Sequence, residues 1–105
     1  MRKITEKMMR NSLQMQLKAQ GKTDHFYMDM VETYIFYWKM KQDLEADIKA
    51  KGLRYECRNG NGVLTEKANE SVVNLQKTTA TMLKILSDLK LREPKATDDD
   101  SSGYL

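Results

Sequence analysis

DHFYMDMVETYIFYWKMKQDLEADIKAKG, residues 24–52, decides how this chain folds. Thr23 or Asp24 can offer a side-chain oxygen to the free backbone N–H groups of a helix start, and Gly52 is the residue type that commonly follows a helix end. Nothing between them breaks a helix, since the single proline of the chain is Pro94. The spacing predicts one helix of roughly 42 Å at about 1.5 Å per residue. Tyr27, Met30, Val31, Tyr34, Tyr37 and Trp38 form one stripe on it, extended by Leu44 and Ile48. Phe26, Met28, Ile35 and Phe36 fall partly outside that stripe. The first half of the helix is therefore apolar around well over half its circumference, where an ordinary surface helix shows a stripe of roughly 100°. One neighbouring helix cannot cover such a surface.

On the amino-terminal side, Lys3 to Gln20 reads as a shorter helix ended by Gly21. On the other side, Leu53 to Lys67 is a connection that contains Asn59-Gly60-Asn61-Gly62, a strong turn signal. Leu53, Tyr55 and Cys57 alternate there with Arg54, Glu56 and Arg58, which suggests a short β-hairpin. A mobile loop is the equal alternative, because a lone hairpin is marginal in water. A third helix starts at the N-cap Asn69, runs to about Leu91 and is closed by Pro94. Its apolar stripe is Val72, Leu75, Thr79, Met82, Leu86 and Leu89, widened by Leu83, with the three- and four-residue steps of a heptad. The expected fold is mainly all-α: a long antiparallel helical hairpin with a short N-terminal helix. Three regions follow: a basic helix over 1–23, a helical core over 24–94 and an acidic tail over 95–105, expected to be disordered in isolation.

The remaining composition narrows the function classes. With 105 residues the chain makes one domain, and 31% charged with 40% hydrophobic residues is ordinary for a folded protein. The net charge of +3 says little by itself. One cysteine, Cys57, and one histidine, His25, exclude an internal disulfide and are too few for a structural zinc site. Met1-Arg2-Lys3 is followed by no apolar run, so no secretory signal is expected. The longest aromatic and aliphatic stretch, Tyr34 to Trp38, is far short of the roughly 20 residues that span a membrane. An intracellular, reducing compartment is expected.

No enzyme motif is present. There is no phosphate-binding glycine loop leading to Lys-Ser or Lys-Thr, no His-Glu-x-x-His and no Gly-x-Ser-x-Gly. His25 beside Asp24 reads as a surface residue near a helix cap. Cys57 has no histidine placed near it that would make it a nucleophile. Asp98, Asp99 and Asp100 are adjacent carboxylates on a tail and make no preorganised metal site; such a run more often meets a partner. No catalytic residue, metal or cofactor is expected.

Two features point to binding instead. Lys3, Lys7, Arg10, Gln14 and Lys18 recur at three- and four-residue steps along one face of the first helix. Arg2 and Lys22 add charge at its ends, and Glu6 is the one acid in the first 23 residues. That row would run roughly 22 Å at about 1.5 Å per residue. It is on the scale of a duplex backbone, which presents one charge per about 1.7 Å. The alternatives are a solvated helix face or a membrane-surface helix, the latter disfavoured because the helix has no Trp or Phe. The second feature is the uncovered aromatic surface. Phe26, Tyr27, Met30, Val31, Tyr34, Ile35, Tyr37 and Trp38 are expected to meet another copy of the chain. The alternative is that the first helix folds back over them.

Asn61-Gly62-Val63, then Lys67-Ala68-Asn69-Glu70-Ser71-Val72, then a long helix closing in Leu86-Ser87-Asp88-Leu89-Lys90-Leu91-Arg92-Glu93-Pro94 resembles the phage terminase small subunits. One group of these has a glycine-containing loop, a Lys-Asn-Pro-like helix start and a helix closing in Leu-Gly-Leu-x-Pro. The aromatic-rich helix ending at Gly52 is also similar, so the resemblance covers roughly Asp24 to Pro94. Glu70 stands where proline is common, and Lys90 replaces the usual glycine, so position 90 is expected to stay helical. Many relatives carry a helix-turn-helix at the amino terminus; one short helix here lacks the second helix that such a reader of sequence needs. The resemblance implies a ring-forming, non-enzymatic subunit of the genome-packaging motor. It would hold viral DNA and regulate a large subunit that carries the ATPase and nuclease. Under that reading the basic helix face meets DNA, and Asp98, Asp99 and Asp100 are candidates to meet the large subunit. A helical protein–protein adaptor or coiled-coil regulator with no nucleic-acid role fits the heptad stripe of the third helix equally well.

Overall fold

The computed structural model describes residues 3–95, and its elements run α1 (Glu6–Ala19), α2 (His25–Lys51), β1 (Arg54–Arg58), β2 (Leu64–Ala68) and α3 (Glu70–Leu89). It is the mainly helical architecture that the sequence predicts. α2 is the axis of the body. α3 packs antiparallel to it through Met40–Thr78 and Asp47–Ser71, and α1 packs antiparallel to its first half. The molecule is elongated, 60 × 32 × 17 Å with a radius of gyration of 18.1 Å, against about 13 Å for a compact chain of this length.

α1 starts later than its charge pattern suggests. Thr5 caps it by accepting from the Met8 amide at 3.1 Å, which leaves Lys3 ahead of the helix. At its far end Gly21 is left-handed at φ 75°, the Lys22 amide donates to the Leu17 carbonyl and the Gly21 amide to Lys18. This pair of bonds is a Schellman closure, which needs one left-handed residue. Asp24 stands at the N-cap of α2 with extended backbone, although its side chain makes no capping bond.

The connection between α2 and α3 is a hairpin and not a loop. Arg54 pairs with Ala68 and Arg58 with Leu64, in antiparallel register. Asn59 organises the turn: its side-chain oxygen accepts from the amides of Asn61 (2.8 Å) and Val63 (3.1 Å). Asn69, almost fully buried, anchors the base. Its amide group donates to the Gly52 carbonyl at 3.0 Å, its oxygen caps α3 by accepting from the Ser71 amide at 3.0 Å, and its backbone N–H donates to Leu53. The strands otherwise pair chiefly with each other.

α3 ends two residues earlier than expected. Lys90 is not helical but left-handed, at φ 56° and ψ 48°, with the Leu91 amide donating to the Leu86 carbonyl at 2.8 Å. This is the same Schellman closure as at Gly21, now carried by a residue with a Cβ. The turn lets Leu91 and Pro94 bury against the helices. The buried line of α3 is Thr78, Met82, Ile85 and Leu89. It is rotated from the predicted stripe, so that Leu83 faces solvent and Ile85 takes the inner position.

One core joins all three helices. Met9, Leu13 and Leu17 of α1 are wholly buried against Val31, Tyr34 and Ile35 of α2 and against Met82, Ile85, Leu89 and Leu91. α1 therefore does fold back over part of the aromatic surface. Val31, Tyr34 and Ile35, expected at an interface between copies, are internal to the single chain because α1 covers them.

Candidate nucleic-acid and assembly surfaces

The basic row on α1 divides in two once the helix is docked. Lys7 and Lys18 are exposed, about 16 Å apart along the axis at 1.5 Å per residue, and exposed Lys3 precedes the helix. Arg10 is not part of this free row. Its guanidinium bridges to Glu32 of α2 at 2.7 and 2.9 Å and to Glu6 at 2.8 Å, while Lys39 reaches the other oxygen of Glu6 at 2.6 Å. Lys39 first and then Arg10 hold the Glu6 carboxyl below the usual carboxylate range, and Arg10 does the same for Glu32. The two carboxylates in turn hold Arg10 firmly protonated. The four groups neutralise one another and tie α1 to α2.

Lys22 is also engaged. Its amino group donates to the Leu89 carbonyl at 3.4 Å and sits 5.8 Å from the centre of the Tyr27 ring. Gln14 is half-buried on the flank. Arg2 lies outside the described residues, as do Asp98, Asp99 and Asp100. The cations that α1 leaves facing water are thus Lys3, Lys7 and Lys18. The acid nearest to them in sequence, Glu6, is turned onto Arg10 and Lys39.

Side chains of α1 also hold the segment after α3. Gln16 makes a reciprocal pair with Arg92, its amide donating to the Arg92 carbonyl at 2.7 Å and its oxygen accepting the Arg92 amide at 3.0 Å. Gln20 donates to the Lys90 carbonyl at 2.9 Å. These bonds hold the backbone of the segment beyond α3, at Lys90 and Arg92, against α1. The Tyr34 hydroxyl donates to the Glu93 carboxylate, and burial, reinforced by that carboxylate, pushes the phenol above its ordinary range. No periodicity in the sequence announces Gln16, Glu32 or Glu93, since each acts on a residue distant along the chain.

Among the described residues, apolar side chains stand open on two sides of α2, besides Met15, Leu53, Val63, Leu64 and Val73 elsewhere. On one side of α2, Phe36 is exposed, edge-on to Tyr37 at 5.8 Å and bordered by Asp29, Glu32 and Thr33. On the other, a groove of about 430 Å³ runs between α2 and α3, lined by Tyr34, Met82, Leu83, Leu86 and Leu91 with Lys41, Arg92 and Glu93 at its edge. Phe26 is exposed near the start of α2, whereas Tyr27, Met30, Tyr37 and Trp38 are half-buried against the core. The sequence signal for Phe36 is its place outside the main stripe of α2; nothing comparable marks Leu83, which only widens the predicted apolar stripe of α3.

No group of three metal-binding side chains stands together among the described residues, and no helix is long and apolar enough to cross a membrane. Against known proteins, the family model described as phage terminase, small subunit, matches residues 7–97. That match takes in α1 as well as the helical hairpin. No curated protein and no solved structure matches.

Proposed function

The chain belongs to the phage terminase small-subunit family, and we propose that it acts as a non-catalytic, self-assembling subunit of the DNA-packaging terminase in the host cytoplasm. In this reading it holds duplex DNA on the outward face of α1 and regulates the large ATPase and nuclease subunit. The observation that carries the DNA assignment is the separation of charge on α1. Arg10 is neutralised by Glu6 and Glu32, whereas Lys7 and Lys18 stand exposed along one helix with Lys3 ahead of them. Three cations per subunit give weak binding alone, and repetition around an assembly multiplies it. Contacts of this kind go to phosphates, so binding is expected to vary little with sequence.

The test is fluorescence anisotropy with a labelled duplex across a salt series. Affinity should fall steeply with salt, and Lys3→Glu, Lys7→Glu and Lys18→Glu together should abolish it while oligomer mass is kept. Unchanged binding by that triple variant would refute the α1 assignment. No DNA binding by the unmodified chain would favour the adaptor reading. For the large subunit, the acidic run Asp98, Asp99 and Asp100 is the proposed contact. Deleting residues 97–105 should weaken large-subunit capture without changing oligomer mass; equal capture would remove the tail from the proposal.

A further inference from the structure

The assembly proposed above acquires a direction from the two open faces of α2, and the inference rests on that assembly reading. α1 meets α2 through Glu32 and Lys39, and α3 meets it through Met40 and Asp47. Phe36 lies between these two lines of contact. Tyr34 and Lys41, which line the α2–α3 groove, lie about 140–160° away around the helix at roughly 100° per residue. One face is therefore a knob and the opposite face a groove. Phe36 is 61% exposed, as is Leu83 at the lip of the groove.

The charges around the two faces are opposite. Asp29 borders Phe36 beside Glu32, which is already paired with Arg10, while Lys41 and Arg92 outnumber the one acid of the groove, Glu93. Among the described residues the side chains of Asp29, Lys41 and Arg92 form no ion pair within the chain. We propose that the occupant of the groove is a second copy of the chain. Phe36 of one subunit seats against Leu83 and Leu86 of the next, and Asp29 faces Lys41 and Arg92. A symmetric contact of Phe36 on Phe36 would leave Lys41 and Arg92 of both subunits without an acidic partner. The contact is heterologous, so each subunit uses both faces and the chain of contacts closes into a ring where the rotation allows.

Two exposed substitutions test this, measured by light scattering behind a sizing column with helicity checked by circular dichroism. Phe36→Asp removes the knob and keeps the groove; Leu83→Asp does the reverse. Each alone should be a folded monomer. An equal mixture retains one complete junction, so it should form a species of two chains and nothing larger. Assembly of either variant to the mass of the unmodified protein, or a mixture that stays monomeric at its highest soluble concentration, overturns the proposal. If the unmodified chain is itself monomeric, the assembly reading falls and the inference with it. If the unmodified chain assembles and the variants do so equally, only the direction assigned here is lost.

Discussion

Gly21 and Lys90 close two helices by the same backbone motif, and exchanging their residue types should move stability in opposite directions. Both are left-handed, at φ 75° and 56°. Both precede an amide that reaches back five residues, Lys22 to Leu17 and Leu91 to Leu86. A residue with a Cβ is disfavoured in this region by about 1–2 kcal/mol. Glycine escapes that strain but loses more unfolded-state freedom on folding, by roughly 0.5–1 kcal/mol. Lys90→Gly should therefore stabilise by about 0.5–1 kcal/mol, toward the lower end because a lysine at the α3 terminus also favours the helix dipole by roughly 0.3 kcal/mol. Gly21→Ala should destabilise by about the same amount. A Cβ at position 21 meets nothing within 4 Å, so this cost is conformational and not steric. In urea, with a slope of about 1–3 kcal/mol per molar, the midpoints should move apart by roughly 1 M between the two variants. Both are compared at one protein concentration, since self-association raises apparent stability. If Lys90→Gly lowers the midpoint, or if both variants shift it the same way with unchanged slope, the shared-motif reasoning is wrong.

Arg10→Gln should lower stability yet leave the salt slope of DNA binding unchanged, whereas Lys7→Gln should lower that slope by up to about 0.9 and leave stability alone; anisotropy and urea melts on the same samples separate the two. Glu6, Glu32 and Asp47 all titrate below the ordinary carboxylate range, through Lys39, Arg10 and the Ser71 hydroxyl respectively. Depressed folded values mean that their contribution is fully present above the unfolded values near pH 4 and is lost as pH falls through the folded ones. Stability should accordingly be flat from about pH 6 to 8 and fall below about pH 4, less steeply in Arg10→Gln; an acid limb unaffected by that variant would discard the Arg10 bridge as its source. Asn69→Ala removes a cap and a buried donor, so a loss of about 2 kcal/mol is expected, with Asn69→Asp losing less because it keeps the capping oxygen. A change below about 0.5 kcal/mol in Asn69→Ala would show that the hairpin base is held by its backbone pairing alone.

Local patterns carried the helices and left the hairpin as one of two equal readings, and long-range contacts decided the rest. α2 was readable because its cap region, apolar period and terminal glycine agree with one another. The strand alternation of Tyr55 and Cys57 against Arg54, Glu56 and Arg58 was equally local. The inner face of α1 was harder, since its apolar residues occur on two sides. Burial selects Met9, Leu13 and Leu17 and leaves Met15 exposed. Charge periodicity correctly put Arg10 on a helix face, yet its partner Glu32 lies 22 residues away and is invisible to any window along the chain. Lys90 looked helical because lysine tolerates a helix well; its left-handed turn is imposed by the burial of Leu91 and Pro94, a tertiary demand. For the same reason heptad spacing could not tell Leu83 from Ile85, because the direction from which α2 approaches α3 settles which of them turns inward.

The docking of α1 also constrains how copies of the chain can meet. If the interface used Val31, Tyr34 and Ile35, α1 would have to leave, giving up the burial of Met9, Leu13 and Leu17, worth about 1.5–3 kcal/mol for each side chain fully buried. It would also break the Arg10 bridge to Glu32 and the bonds from Gln16 and Gln20 to the segment after α3. Assembly with α1 in place is therefore the lower-energy route, and it restricts the contact to what α1 does not cover. Phe36 and the Leu83–Leu86 groove meet that condition, being apolar and open while α1 stays docked. The same geometry keeps Lys7 and Lys18 clear of the contact, because they project from the side of α1 that faces away from Met9, Leu13 and Leu17. Self-association and a basic surface can thus coexist on one short chain without competing for the same side chains.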